Sequence, residues 1–81
     1  MDVETAEDKD TLITTIKSII LTSEFVLERR EPVVLLEKVK DKGVALKIYF
    51  WCEDFYKSEL AKSDVWYKIY QELKGRGMKV S

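Results

Sequence analysis

The stretch VVLLEKVKDKGVALKIYFWC, residues 33–52, decides the fold. Two apolar-rich runs flank Asp41-Lys42-Gly43, where Gly43 can adopt the positive φ that tight turns favour. The pattern predicts a β-hairpin with strands over residues 33–40 and 44–52. Pro32 sets its start, because it blocks a helix arriving from upstream and holds Glu31 extended. A three-residue turn places Lys40 across from Val44 and Glu37 across from Lys47, an attractive charge pair. In that register Val34 and Leu36 share a face with Leu46, Ile48 and Phe50, the predicted core side. The other face carries Val33, Leu35, Glu37 and Val39 with Ala45, Lys47, Tyr49 and Trp51. It is apolar for a solvent face, so Val33, Leu35, Tyr49 and Trp51 form a candidate subunit-contact surface.

Working outward, Leu12, Ile13, Ile16, Ile19 and Ile20 fall on one stripe of a 3.6-residue period. They predict a helix capped by Asp10 and ending near Thr22 or Ser23. Residues 24–31 read as a connector, and so do residues 53–57. Beyond them Val65, Trp66, Ile69, Tyr70 and Leu73 predict a second helix, capped by Ser58 or Ser63 and ended by Gly75. Gly77-Met78-Lys79-Val80 reads as a last extended stretch. With residues 1–6 as a clipped first strand, the order is βαββαβ. That order predicts an α+β fold, a ferredoxin-like two-layer sandwich with two helices on one face of an antiparallel sheet.

The chain has 81 residues, 14 basic and 15 acidic, so one domain spanning residues 1–81 is the only sensible count. The near-zero net charge argues against a phosphate-tracking surface, so nucleic acid is not an expected partner. No apolar run approaches the roughly 18 residues of a membrane span, and the acidic start lacks a signal-peptide pattern. Cys52 is the only cysteine, which excludes an internal disulfide and fits a reducing compartment. Histidine and asparagine are absent, which removes imidazole acid–base chemistry and His metal ligands. The sequence therefore predicts no catalytic, cofactor-binding or metal site, and no enzyme. Cys52 reads as a structural thiol, and Glu53-Asp54 as a solvated acidic pair. Arg29 and Arg30 are offset by Glu28 and Glu31. The aromatics at 49–51, 55–56, 66–67 and 70 read as core or subunit contact in preference to base-stacking platforms.

Glu31-Pro32-Val33-Val34, the Asp41–Gly43 turn, the strand ending Tyr49-Phe50-Trp51 and the closing Gly77-Met78-Lys79-Val80 together resemble one family. It is the small-conductance mechanosensitive channel (MscS) family, in its C-terminal cytosolic α/β domain. The resemblance covers roughly residues 3–80 and rests on short motifs. It departs where the family continues into a Pro-containing segment and a further strand, and in lacking the pore region. It implies a fragment of a longer membrane protein, on the cytoplasmic side of the cell (inner) membrane. It also implies a homo-oligomer, seven copies forming a vestibule below a pore that releases ions and small solutes on osmotic downshock. The isolated fragment would then be monomeric or weakly associated. The alternative is a stand-alone ferredoxin-like module that binds a protein, a small ligand or RNA. An acylphosphatase-like enzyme would need an arginine phosphate loop and an asparagine, and the chain has no asparagine.

Overall fold

The computed structural model describes residues 1–81. Strand β1 (Asp2–Glu4) is followed by helix α1 (Lys9–Ile20), strands β2 (Val33–Lys40) and β3 (Gly43–Tyr49), helix α2 (Phe55–Gly75) and strand β4 (Lys79–Val80). The four strands form one antiparallel sheet in the order β2-β3-β1-β4. Both helices and one face of the sheet contribute to a single apolar cluster, so the class is α+β with helices layered on a sheet. No helix is long and apolar enough to cross a membrane.

Helix α1 buries the stripe Leu12, Ile16 and Ile20, while Ile13 and Ile19 sit half-buried at its margins. Its N-cap is Asp8, not Asp10: the Asp8 carboxylate accepts from the Thr11 N–H at 3.2 Å. Asp10 falls inside the first turn, where its charge still complements the helix dipole. The helix stops at Ile20, slightly before the predicted end. Thr22 and Ser23 continue only as a tight turn, their N–H groups donating to the Ile19 and Ile20 carbonyls. The connector that follows is anchored by buried Val26 and by a bond from the Leu27 N–H to the Trp51 carbonyl.

Helix α2 begins at Phe55, earlier than predicted, because Asp54 and neither Ser58 nor Ser63 is its N-cap. The Asp54 carboxylate accepts from the Lys57 N–H at 2.8 Å. Periodicity could not reveal this first turn, since Phe55 is 78% and Tyr56 71% exposed and neither joins the core stripe. The buried line is Ala61, Val65, Ile69 and Leu73; Trp66 and Tyr70, predicted to share it, lie exposed on the flank.

The end of α2 also differs from expectation. Gly75 is still helical, and the left-handed residue is Gly77 at φ 84°. The Met78 N–H donates to the Leu73 carbonyl and the Gly77 N–H to the Lys74 carbonyl, a Schellman closure with Met78 packed into the core beside Leu73. Gly77→Ala is therefore expected to cost about 1–2 kcal/mol, because an L-residue resists left-handed φ. Gly75→Ala, whose added Cβ meets nothing within 4 Å, should be neutral or stabilise by up to about 1 kcal/mol. Urea midpoints of the two variants check the pair.

The hairpin register is corrected at two places. The turn holds two residues, Asp41 and Lys42, so Lys40 pairs with Gly43. A bulge at Glu37 then leaves that residue without a partner, and Lys47 lies across from Leu35. The predicted Glu37–Lys47 pair does not form. The two one-residue shifts add to an even number, so Val34 and Leu36 keep the same face as Leu46 and Ile48, as predicted. Nearer the turn only one shift has occurred, and Val39 moves to the helix side, across from Val44. Gly43 does not use positive φ. It is required by a close approach: a Cβ there would lie 1.9 Å from the Val3 carbonyl oxygen.

Candidate functional site

The helices cover one face of the sheet, and the other face is open. Strand alternation places Val33, Leu35, Lys38 and Lys40 of β2 on the open face, with Ala45, Lys47 and Tyr49 of β3. Asp2, Glu4 and Lys79 join them through the β1 pairings. Leu35 is 49% and Tyr49 48% exposed, while Val33 is half-buried. Three members of the predicted contact surface are thus adjacent, since Val33 pairs with Tyr49 and Leu35 with Lys47. The fourth, Trp51, lies past the end of β3, half-buried, with the Arg30 guanidinium 4.5 Å from its ring centroid. That cation–π contact occupies both residues and ties the connector before β2 to the exit of β3.

Apolar exposure is not confined to the open face. Leu36 is 42% and Val39 55% exposed on the helix side, because β2 is an edge strand that reaches past the helices. Residues 35–39 therefore present apolar side chains on both sides of one strand. The sequence reading missed this because it assumed that the whole helix-side face of the hairpin is covered.

Charge on the open face is uneven, with Lys38, Lys40, Lys47 and Lys79 against Asp2 and Glu4. Lys40 reaches across β3 to Asp2, Nζ to carboxylate oxygen 2.9 Å. This hydrogen bond and the lysine charge hold the Asp2 carboxyl below its ordinary value near 3.8. A group with a depressed folded-state pKa contributes stability above its unfolded pKa and loses it as pH falls through the folded one. The Asp2 titration followed by NMR should accordingly lie below 3.8, and Lys40→Met should return it to the ordinary range. Both groups are exposed, so the change in folding stability should be small.

Two other polar residues that stood out in the sequence, Glu53 and Asp54, have structural partners. Glu53 pairs with Lys57 and Asp54 caps α2. Cys52 is half-buried, and burial, helped by the nearby Asp54 charge, pushes its thiol pKa up. That favours the unreactive protonated form. Arg76 bridges Glu72 on α2 and Glu7 in the loop after β1. No group of three His, Cys, Asp or Glu side chains is placed to hold a metal ion.

Two concave regions accompany these surfaces. One, about 720 Å³, lies among the hairpin turn, β1, β4 and the end of α2, with Lys40, Lys42, Lys74 and Lys79 beside Asp2, Glu4 and Asp41. The other, about 560 Å³ and lined mostly by apolar residues, lies between the end of β3 and α2. Along α2, Trp66 is 47%, Tyr67 63% and Tyr70 43% exposed, with the Lys74 ammonium 5.4 Å from the Tyr70 ring centroid. The spacing of Trp66 and Tyr70 mimicked a core stripe, and only the buried line at Ala61, Val65, Ile69 and Leu73 separates the two. Comparison with protein-family models, with curated proteins and with solved structures finds no match.

Proposed function

We propose that this chain is a structural and assembly module, not an enzyme. Its fold is read as a ferredoxin-like sandwich, and its setting as the cytosolic vestibule of an MscS-like mechanosensitive channel. The observation that carries the assembly part is the apolar exposure on both faces of the hairpin's strands. Leu35, Leu36, Val39 and Tyr49 are each between 42% and 55% exposed within two adjacent strands. A solitary soluble domain gains nothing from this, whereas a subunit wall buries it against neighbours. The strand order β2-β3-β1-β4, in which β1 and β2 flank β3, supports the ferredoxin-like reading.

The channel setting is supported by where the motif residues fall. Glu31-Pro32 leads into β2, β3 ends at Tyr49 with Phe50-Trp51 just beyond it, and Gly77-Met78-Lys79-Val80 combines the turn after α2 with β4. In this role the domain contributes subunit packing and vestibule wall, while tension sensing belongs to membrane segments elsewhere in the protein. Such a fold hosts many functions, so the assembly surface carries the argument and not the fold.

Leu35→Lys tests it. In the cellular protein the substitution should lower the fraction in the assembled state on a native gel. The thermal midpoint of the 81-residue chain should meanwhile stay within a few degrees, since Leu35 is half exposed. Unchanged assembly with tight, steeply salt-dependent RNA binding on the same face would instead favour the nucleic-acid reading.

A further inference from the structure

We propose that the open face of the hairpin docks against the carboxylate-rich start of α2 in a second copy of this chain, a head-to-tail contact between two different surfaces. The proposal rests on the assembly part of the reading above and not on the channel setting. It starts from the charges on the hairpin. Strands β2 and β3 carry Lys38, Lys40 and Lys47 against one carboxylate, Glu37, at the bulge. Lys40 is engaged with Asp2, whereas Lys38 and Lys47 make no ion pair within the chain. Lys47 lies directly across from Leu35, and Lys38 follows Leu35 on the same face. The chain as a whole has a net charge of −1, so this cationic excess is local. A surface that complements it is apolar and acidic. The same face of a second copy fails this requirement, because a two-fold contact would set lysines against lysines. A base-stacking ligand would find one exposed ring there, Tyr49, where such platforms use several.

Another surface of the same chain has the required chemistry. Phe55 and Tyr56, in the first turn of α2, are the most exposed large apolar side chains in the structure. Neither belongs to the core cluster. Glu53 and Asp54 precede them, and Glu59 follows one helical turn on, all three exposed. Glu24 borders the same end of the helix, in one shallow concavity with Glu53. Lys57 and Lys62 offset Glu53 and Glu59, while Asp54 and Glu24 make no ion pair, so carboxylates remain in excess. Docked together, the two surfaces place Phe55 and Tyr56 on Leu35 and Tyr49, with the carboxylates beside Lys38 and Lys47. An ammonium over either ring adds a cation–π contact.

The placement of the two surfaces fixes the kind of contact. One lies on the open face of the sheet and the other at the start of a helix in the opposite layer, and neither uses a residue of β1 or β4. A contact between unlike surfaces leaves each pair of copies with one free surface of each kind. Further copies then add in the same sense until a ring closes or a chain extends.

The test follows self-association of the 81-residue chain by NMR up to millimolar concentration. Amide signals of residues 33–49 and 53–60 should move together as concentration rises, and less so at high salt. Lys47→Glu, and separately Phe55→Ser with Tyr56→Ser, should each weaken association about tenfold. All three side chains are exposed, so the thermal midpoints should stay within a few degrees. Mixed in equal amounts, the two variants should associate through the surface each retains. A labelled Lys47→Glu chain should then shift at residues 53–60 and not at residues 33–49. No concentration-dependent shift in the unsubstituted chain would overturn the proposal. The assembly reading would still have its own test in Leu35→Lys of the cellular protein. Loss of association in only one variant would overturn the proposal in favour of contact between like surfaces, and so would a mixture no better associated than its components. A single-stranded RNA oligonucleotide that shifts residues 33–49 of the unsubstituted chain, and not of Lys47→Glu, would assign the hairpin face to nucleic acid instead.

Discussion

Gly43→Ala is expected to cost about 3 kcal/mol or more, at or beyond the usual upper end of overpacking penalties. The reason is a backbone collision. The added Cβ would sit 1.9 Å from the Val3 carbonyl oxygen and 2.8 Å from the Glu4 Cα. Neither atom belongs to a side chain that could rotate away. Relief requires β1 to move off β3, and that breaks the ladder at Asp2, Val3 and Glu4 together with its continuation to β4. Stability for a chain of this length is roughly 4–12 kcal/mol at the usual per-residue scale. A loss of this size would leave a protein near the low end of that range with about 1 kcal/mol, roughly one molecule in six unfolded. Equilibrium urea unfolding measures it, and hydrogen exchange should show Val3 and Val44 losing protection first. A midpoint equal to that of the unsubstituted protein would mean that β1 is not held as close to Gly43 as described.

Leu73→Ala should be comparably damaging, at about 3–5 kcal/mol. Leu73 is fully buried, and its carbonyl accepts the Met78 N–H that closes α2. The cavity would open where the helix end, Met78 and the core meet, a site with little freedom to collapse. Leu46→Ala, at 2% exposure, should cost about 2–4 kcal/mol. Ile48→Ala, half-buried at the groove, should cost only about 1 kcal/mol. Lys42→Ala at the turn should be near neutral. Denaturant midpoints in the order Leu73, Leu46, Ile48, Lys42, most damaging first, check the whole series. An Ile48 variant as damaged as the Leu73 variant would mean that the groove is closed and belongs to the core.

What the sequence made legible was periodicity. The stripe on α1, the two hairpin strands and the element order could be read because buried apolar residues repeat with the period of their element. Features that depend on one residue meeting another were not readable in the same way. Asp8 and Asp54 cap their helices because of where the chain bends into them, while the better placed Asp10, Ser58 and Ser63 lie within the helices. Glu37 bulges out, and no propensity marks the position. The sequence marks Gly43 as the glycine with positive φ, but it is confined by a neighbouring strand, and the left-handed glycine is Gly77, which reads only as the start of an extended stretch. Of the predicted contact surface, Val33, Leu35 and Tyr49 survived the register error because two shifts summed to an even number. Trp51 did not remain on that sheet surface, since β3 ends before it and Arg30 stacks on its ring.

The most direct test of the assembly-module reading is the size and location of the protein in its own cells. An antibody raised against the folded 81-residue chain should detect a polypeptide far larger than 9.5 kDa in the membrane fraction. After mild detergent extraction that polypeptide should migrate as a homo-oligomer of several copies. A single species of about 9.5 kDa in the soluble fraction, monomeric on a native gel, would contradict the account.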